Sequence, residues 1–101
     1  MVRVDWSQPA LADLQEVHDY IARDSRAYAR ATVEKITGAT ARLAQWPKVG
    51  EVVHQFPAYR EIIVGNYRLI YREDVPNRRV LIIGVIHGSR DLPAILEARH
   101  G

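Results

Sequence analysis

The pairing of GNYRLIYRE with a later HGSRD, His87 to Asp91, brings together the residue types of phosphate and proton chemistry. Arg68 and Arg90 carry planar guanidinium forks that hold a phosphate through charge-assisted hydrogen bonds. His87 has the side chain whose unperturbed pKa suits proton transfer near neutral pH. Glu61 can serve as a base or simply pair with Arg68. Each has a plainer reading. Cross-strand Glu and Arg on a sheet face are commonly just solvated, and a histidine at a strand end is more often a hydrogen-bonded structural residue than a catalyst. Ser89 between His87 and Asp91 has the types of a hydrolase triad in one dimension, but triads are assembled by geometry and the sequence has no nucleophile elbow.

Other chemistries find less support. His18, His54, His87 and His100 lie far apart without metal-ligand spacing, and the absence of cysteine excludes thiolate catalysis and thiolate metal sites. GNYRLIYR has no phosphate-loop pattern. Neither a metal nor a cofactor is expected.

At 101 residues the chain has the length of one domain, residues 1–101, and folding buries roughly two-thirds of the surface of an unfolded chain of this size. Hydrophobic residues make up 48% and charged residues 26%, values that argue against disorder. No apolar run reaches the ~20 residues that span a bilayer, and MVRVDWSQPA lacks a signal-peptide core. A cytoplasmic location without membrane association is expected. The formal charge is +2, and each half of the chain carries 7 basic and 6 acidic residues, so charge alone does not mark a nucleic-acid binder. Of the 14 basic residues only Lys35 and Lys48 are lysine. That bias suits phosphate or carboxylate recognition, and equally suits codon usage in a GC-rich genome.

The elements that must position these residues are legible from hydrophobic period. Val2, Val4 and Trp6 alternate with Arg3 and Asp5 as in a half-buried strand. Ser7 is a plausible N-cap with Pro9 in the first turn, and Leu11, Leu14, Val17 and Ile21 form a helical stripe opposite Asp13, Glu16 and Asp19. The helix is expected to end near Arg23, with Asp24 or Ser25 capping a second one. Its stripe is Val33, Ile36, Ala39 or Thr40, and Leu43, and Trp46-Pro47 stops it. Ala27, Ala29, Ala31, Gly38 and Ala39 are read as allowing close approach of the two helices. Tyr20, Tyr28 and Trp46 pack into the core or form an exposed aromatic patch for a partner, the first being the commoner fate.

After Pro47 the period becomes two. EVVHQF is an edge strand or a loop. Gly65-Asn66 is a pair favoured in primed hairpin turns, which sets Val64 opposite Tyr67, Ile62 opposite Leu69 and Arg60 opposite Tyr71 on the core face. Ile63, Arg68, Glu61, Ile70, Tyr59 and Arg72 then fall on the other, exposed face. VLIIGVI reads as a central strand covered on both sides, and Leu92, Ile95 and Leu96 as a short terminal helix whose start Pro93 limits. The expected class is α+β: an N-terminal strand, an antiparallel helical hairpin, then a three-stranded antiparallel sheet packed on the helices.

GNYRLIYRE followed by VLIIGVIHGSRDL resembles the C-terminal half of the RelE/ParE superfamily, the toxins of bacterial type II toxin-antitoxin modules, and the order of elements matches across nearly the whole chain. The resemblance implies a small toxin neutralised by a cognate antitoxin in a hetero-oligomer. One branch cleaves mRNA on the ribosome with lysines and arginines on the sheet face and a C-terminal Tyr or His; the other poisons DNA gyrase without that set. Arg68 and Arg90 match the arginines of the ribonuclease pattern, with His87 as the candidate acid. The lysine positions fall at Tyr59 and Glu61, and the catalytic tyrosine near Leu96. The ending VIHGSRDLPAIL is closer to the ParE-like branch. The resemblance therefore favours a gyrase inhibitor, with a ribosome-dependent mRNA endoribonuclease using Arg68, His87 and Arg90 as the alternative. In the favoured reading Arg68, Arg72 and Arg90 bind the acidic antitoxin or structure the sheet, with Glu61 and Asp91 as salt-bridge partners.

Overall fold

A computed structural model describes residues 1–99. Its elements are β1 (Arg3–Trp6), α1 (Gln8–Ala22), α2 (Arg26–Leu43), β2 (Glu51–Val53), β3 (Phe56–Val64), β4 (Tyr67–Asp74), β5 (Arg79–His87) and α3 (Leu92–Arg99). His100, considered above as a metal ligand, lies outside the described residues.

The caps fall where side-chain chemistry places them. Ser7 Oγ accepts from the Ala10 N–H at 3.2 Å, and Pro9 sits in the first turn, where a missing N–H has no bond to break. Ser25 Oγ accepts from the Tyr28 N–H at 3.1 Å and starts α2. Asp91 Oδ1 accepts from the Ala94 N–H at 3.2 Å and starts α3, so Pro93 too lies in a first turn and is harmless there. Asp91 is thus a helix cap, without an ion pair among the described residues.

One sheet collects every strand, in the order β1-β5-β4-β3-β2. The expected α+β architecture holds, and the three antiparallel strands β3, β4 and β5 form the middle of five. β1 adds to β5 in parallel, with Arg3 opposite Arg79 and Trp6 opposite Ile82. β2 is the short edge strand within EVVHQF. The β3-β4 register runs from Arg60 opposite Tyr71 to Val64 opposite Tyr67, as counted from the turn. Gly65 has φ +59 and Asn66 does not share it, the pattern of a turn with glycine at its first central position.

The helical hairpin covers one face of the sheet. There Val17 from α1 and Ile36 and Leu43 from α2 pack with Leu69, Tyr71, Val80 and Ile82. Two details differ from the sequence reading. Ala10 is fully buried, whereas Leu11 is half exposed, because the stripe of α1 is rotated by one residue at its start. Of the small residues read as close-approach positions, Ala29 is buried and Ala39 half-buried, while Ala27, Ala31 and Gly38 face outward.

The second face is not the solvated surface that alternation suggested. Tyr59 and Ile70 are buried there with Ile83 and Ile86, under Leu92 and Leu96 of α3. A single short helix thus converts an exposed face into a second core. β5 serves both cores through a bulge: Ile70 pairs with Gly84 but Tyr71 with Ile82, leaving Ile83 as an extra residue. Val80 and Ile82 face the hairpin before the bulge and Val85 after it, so the alternation changes phase. The bulge also frees backbone groups. Asp13 Oδ2 accepts from the Val85 N–H at 3.0 Å, and Arg99 Nη1 donates to the Ile83 carbonyl at 3.2 Å.

Candidate functional site

The register separates the three sequence candidates. Arg68 on β4 stands opposite Ile86, and His87 on β5 stands opposite Tyr67. Cross-strand partners share a face and successive residues alternate, so Arg68 and His87 lie on opposite faces of the sheet.

Arg68 belongs to the α3 side. Its Nε and Nη2 both donate to Glu61 Oε2, at 3.0 and 2.5 Å, in a pair whose side chains are mostly shielded from solvent. The expectation that Glu61 pairs with Arg68 is met, and the pair occupies the two groups that would otherwise face a substrate. The position read as a missing lysine, Tyr59, and the position read as a missing catalytic tyrosine, Leu96, are both buried in the second core. Apolar packing therefore fills the places where that chemistry would need polar groups.

His87 belongs to the helical-hairpin side, at its open end. Its ring meets Tyr67 edge-on at 5.4 Å between centroids. The Ser89 N–H donates to His87 Nδ1 at 3.1 Å, and Ser89 Oγ lies 2.7 Å from the same nitrogen. With Nδ1 committed as acceptor, the neutral ring carries its proton on Nε2. The Ser-His-Asp row is therefore no triad, since Asp91 turns to the α3 backbone instead of orienting the imidazole.

Arg90 follows in the turn after β5, exposed; its backbone N–H donates to the His87 carbonyl at 3.0 Å, and its guanidinium has no hydrogen-bond or ion-pair partner among the described residues. It lines a groove of about 640 Å³ between α1 and the β5–α3 turn, together with Glu16, Tyr20, Tyr67, His87 and Ser89. His87 and Arg90 thus share a site that Arg68 does not enter.

Two participants were ranked low in the sequence and take the less common of their two expected fates. Tyr20 and Tyr28 are 68% and 63% exposed at the tip of the helical hairpin, against the commoner fate of core packing, and Trp46 is 60% exposed at the far end of α2. Tyr20 and Tyr28 flank Tyr67, whose pKa is raised by burial first and by the two neighbouring tyrosines second. The signal was the polar company of these tyrosines in the sequence, with Asp19 and Arg23 around one and Arg26 and Arg30 around the other. Arg23 lies over the Tyr20 ring at 5.8 Å. Asp13, placed opposite the apolar stripe of α1, was given no partner in the sequence, yet it holds Arg99 through both carboxylate oxygens, at 2.6 and 2.9 Å.

A helical hairpin on one face of a five-stranded sheet, a short terminal helix on the other and an open groove at the end of β5 define the class: a small two-core α+β domain. The sequence profile described as "ParE toxin of type II toxin-antitoxin system, parDE" matches residues 4–92. A protein of Sinorhizobium fredii (strain NBRC 101917 / NGR234), "Putative toxin Y4kP", is 30% identical over 93% of this chain and 96% of its own length. This chain belongs to the ParE toxin family of type II toxin-antitoxin systems.

Solved structures share the fold. The chromosomal ParDE toxin-antitoxin system from P. aeruginosa superposes with a TM-score of 0.73 at 18% identity, covering 86% of this chain and 96% of that one. A chain of the toxin-antitoxin complex RelBE2 from Mycobacterium tuberculosis gives 0.61 at 26% identity, over 85% and 96%. The isolated E. coli RelE toxin gives 0.67 at 16% identity, over 98% and 97%. Members of both branches therefore share this architecture, and the fold does not choose between them. Among the described residues, no helix is long and apolar enough to cross a membrane.

Proposed function

We propose that the chain is a toxin that acts without chemistry of its own, inhibiting DNA gyrase as ParE-like toxins do and held inactive by a cognate antitoxin in a hetero-oligomer. The observation that carries this reading is the placement of Arg68 and His87 on opposite faces of the sheet. An mRNA endoribonuclease needs its phosphate-binding cations and its proton donor within reach of one scissile phosphate. Here the cation of the sheet face is engaged by Glu61, and the histidine faces α1. The match to the ParE family profile supports the toxin class, and the toxin-antitoxin complexes among the structural relatives support an antitoxin partner.

The test is a pair of assays on the purified chain: gyrase supercoiling with cleavage-complex formation, beside mRNA cleavage on translating ribosomes. Gyrase inhibition with intact mRNA is expected, and Arg68→Ala and His87→Ala are expected to remain toxic when expressed. Ribosome-dependent mRNA cleavage that His87→Ala abolishes would overturn the reading. It would place the chemistry in the groove shared by His87 and Arg90.

A further inference from the structure

α3 leaves part of the second sheet face uncovered, and an open cleft of about 710 Å³ lies beside it. Its floor is apolar, formed by Tyr59 from β3 and by Leu81 and Ile83 from β5, with Pro9 in the first turn of α1 and Ala98 in the last turn of α3 as walls. Arg72 stands among them on β4, opposite Leu81 in the register and half-buried. Its guanidinium has neither a hydrogen bond nor an ion pair among the described residues, and no acidic residue among them lines the cleft. Three carboxylates of this side of the sheet are engaged elsewhere: Glu61 by Arg68, Asp74 by Arg79 and Asp13 by Arg99. The other polar groups of the wall are committed too. Arg99 donates to Asp13 and to the Ile83 carbonyl, and Ser7 Oγ caps α1. A half-buried cation in an apolar cleft is a costly arrangement unless an anion completes it.

We propose that this cleft binds a small amphipathic monocarboxylate, its head held by Arg72 and its hydrocarbon body laid over Tyr59, Leu81 and Ile83. A single guanidinium fork matches one carboxylate through parallel hydrogen bonds. A phosphate monoester carries more charge than one fork neutralises, and a polynucleotide repeats that charge along its length. The cleft offers one uncommitted cation, so a monoanion fits it best. Its volume falls within the roughly 300–1,000 Å³ of small-molecule sites, and an apolar lining with few polar groups is their usual composition. The ligand's apolar part would cover floor residues that α3 leaves accessible from one side. This site uses neither the Arg68–Glu61 pair nor the groove of His87 and Arg90, and it does not depend on the gyrase reading.

The test is a calorimetric titration of the full chain with sodium decanoate below its micelle concentration, with backbone amide shifts followed by NMR. Saturable binding is expected, with the largest shifts at Arg72, Leu81 and Ile83. Arg72→Gln removes the charge and is expected to weaken binding at least about tenfold. Ala98→Phe, at an exposed position on the wall, keeps Arg72 and fills the cleft, and is expected to weaken binding by a similar factor. Hexanoate, with its shorter chain, is expected to bind about tenfold more weakly than decanoate. Decylamine, with the opposite charge, is expected to leave the cleft amides unshifted, and Val75→Glu on the remote β4–β5 turn to change nothing. Absence of saturable decanoate binding, equal affinity in Arg72→Gln, or equal binding of hexanoate or decylamine at the same amides would each overturn the proposal. Displacement of decanoate by an oligouridine would overturn it as well, and would mark the cleft as a nucleic-acid surface. The hexanoate and decylamine comparisons use the unaltered chain, so they decide the question where a variant fails to fold.

Discussion

Tyr71 shows what a single side chain does in this fold. Its ring is fully buried between the hairpin and the sheet, and its hydroxyl donates to the Pro47 carbonyl at 2.8 Å while accepting from the Gly50 N–H at 2.9 Å. It thereby ties down the loop that crosses from α2 to β2. Arg60 on the same face assists, donating to the Gly50 carbonyl at 2.8 Å. Tyr71→Phe keeps the ring and orphans a buried amide, so it is expected to lower stability by about 1–3 kcal/mol in urea unfolding. Burial raises the Tyr71 pKa above its ordinary value of 10.0, only partly offset by the Gly50 hydrogen bond, and burial raises Tyr67 likewise. The folded chain thus holds these protons more tightly than the unfolded chain does. Their contribution is fully present below the ordinary tyrosine value and is lost as pH rises through it toward the folded values. Denaturation midpoints are expected to fall above pH 10 and to fall less steeply in Tyr71→Phe.

At the scale of elements, the bulge in β5 and the terminal helix depend on one ion pair. Asp13 from α1 and Arg99 from α3 each bind a backbone group near the bulge and bind one another, so the pair joins three elements. Gly84 makes room for it: a Cβ there would stand 2.6 Å from Arg99 Nη1 and 3.1 Å from Asp13 Oδ2. Arg99→Ala leaves Asp13 without its cation in a partly buried site and is expected to cost about 1.5–3 kcal/mol by chemical denaturation. Gly84→Ala is expected to destabilise in the same direction by displacing the pair. Gly38 gives the opposite forecast. Nothing lies within 4 Å of a Cβ built there, in the interior of α2, so Gly38→Ala is expected to stabilise by about 0.5–1 kcal/mol.

At the scale of the molecule, the sheet has two cores of unequal security. The hairpin core is closed by two long helices, whereas the second is closed by the eight residues of α3. Leu96 is the most buried contribution of that helix, with 1% exposure, and Leu96→Ala is expected to cost about 2–5 kcal/mol. A chain truncated after Asp91 is expected to bind a hydrophobic dye and to aggregate, because Tyr59, Ile70, Ile83 and Ile86 would form a contiguous exposed apolar patch. Full solubility and an unchanged melting temperature of the truncated chain would refute that account of α3.

Local patterns determined most of the architecture. The caps at Ser7 and Ser25, the stop before Pro47, the Gly65-Asn66 turn and the β3-β4 register are set by neighbours in the chain, and each was legible from spacing or side-chain chemistry. The residues that resemble a ribonuclease set were legible too, as types. What they face was not, since alternation fixes which residues share a side of a strand without saying what covers that side. Only the tertiary structure decided that α3 folds over Tyr59 and Ile70, that a bulge puts β5 out of phase, and that Asp13 and Arg99, distant in the chain, meet at it. Those outcomes depend on contacts between residues far apart in sequence, where free energy is gained by burying surfaces that no local period can identify.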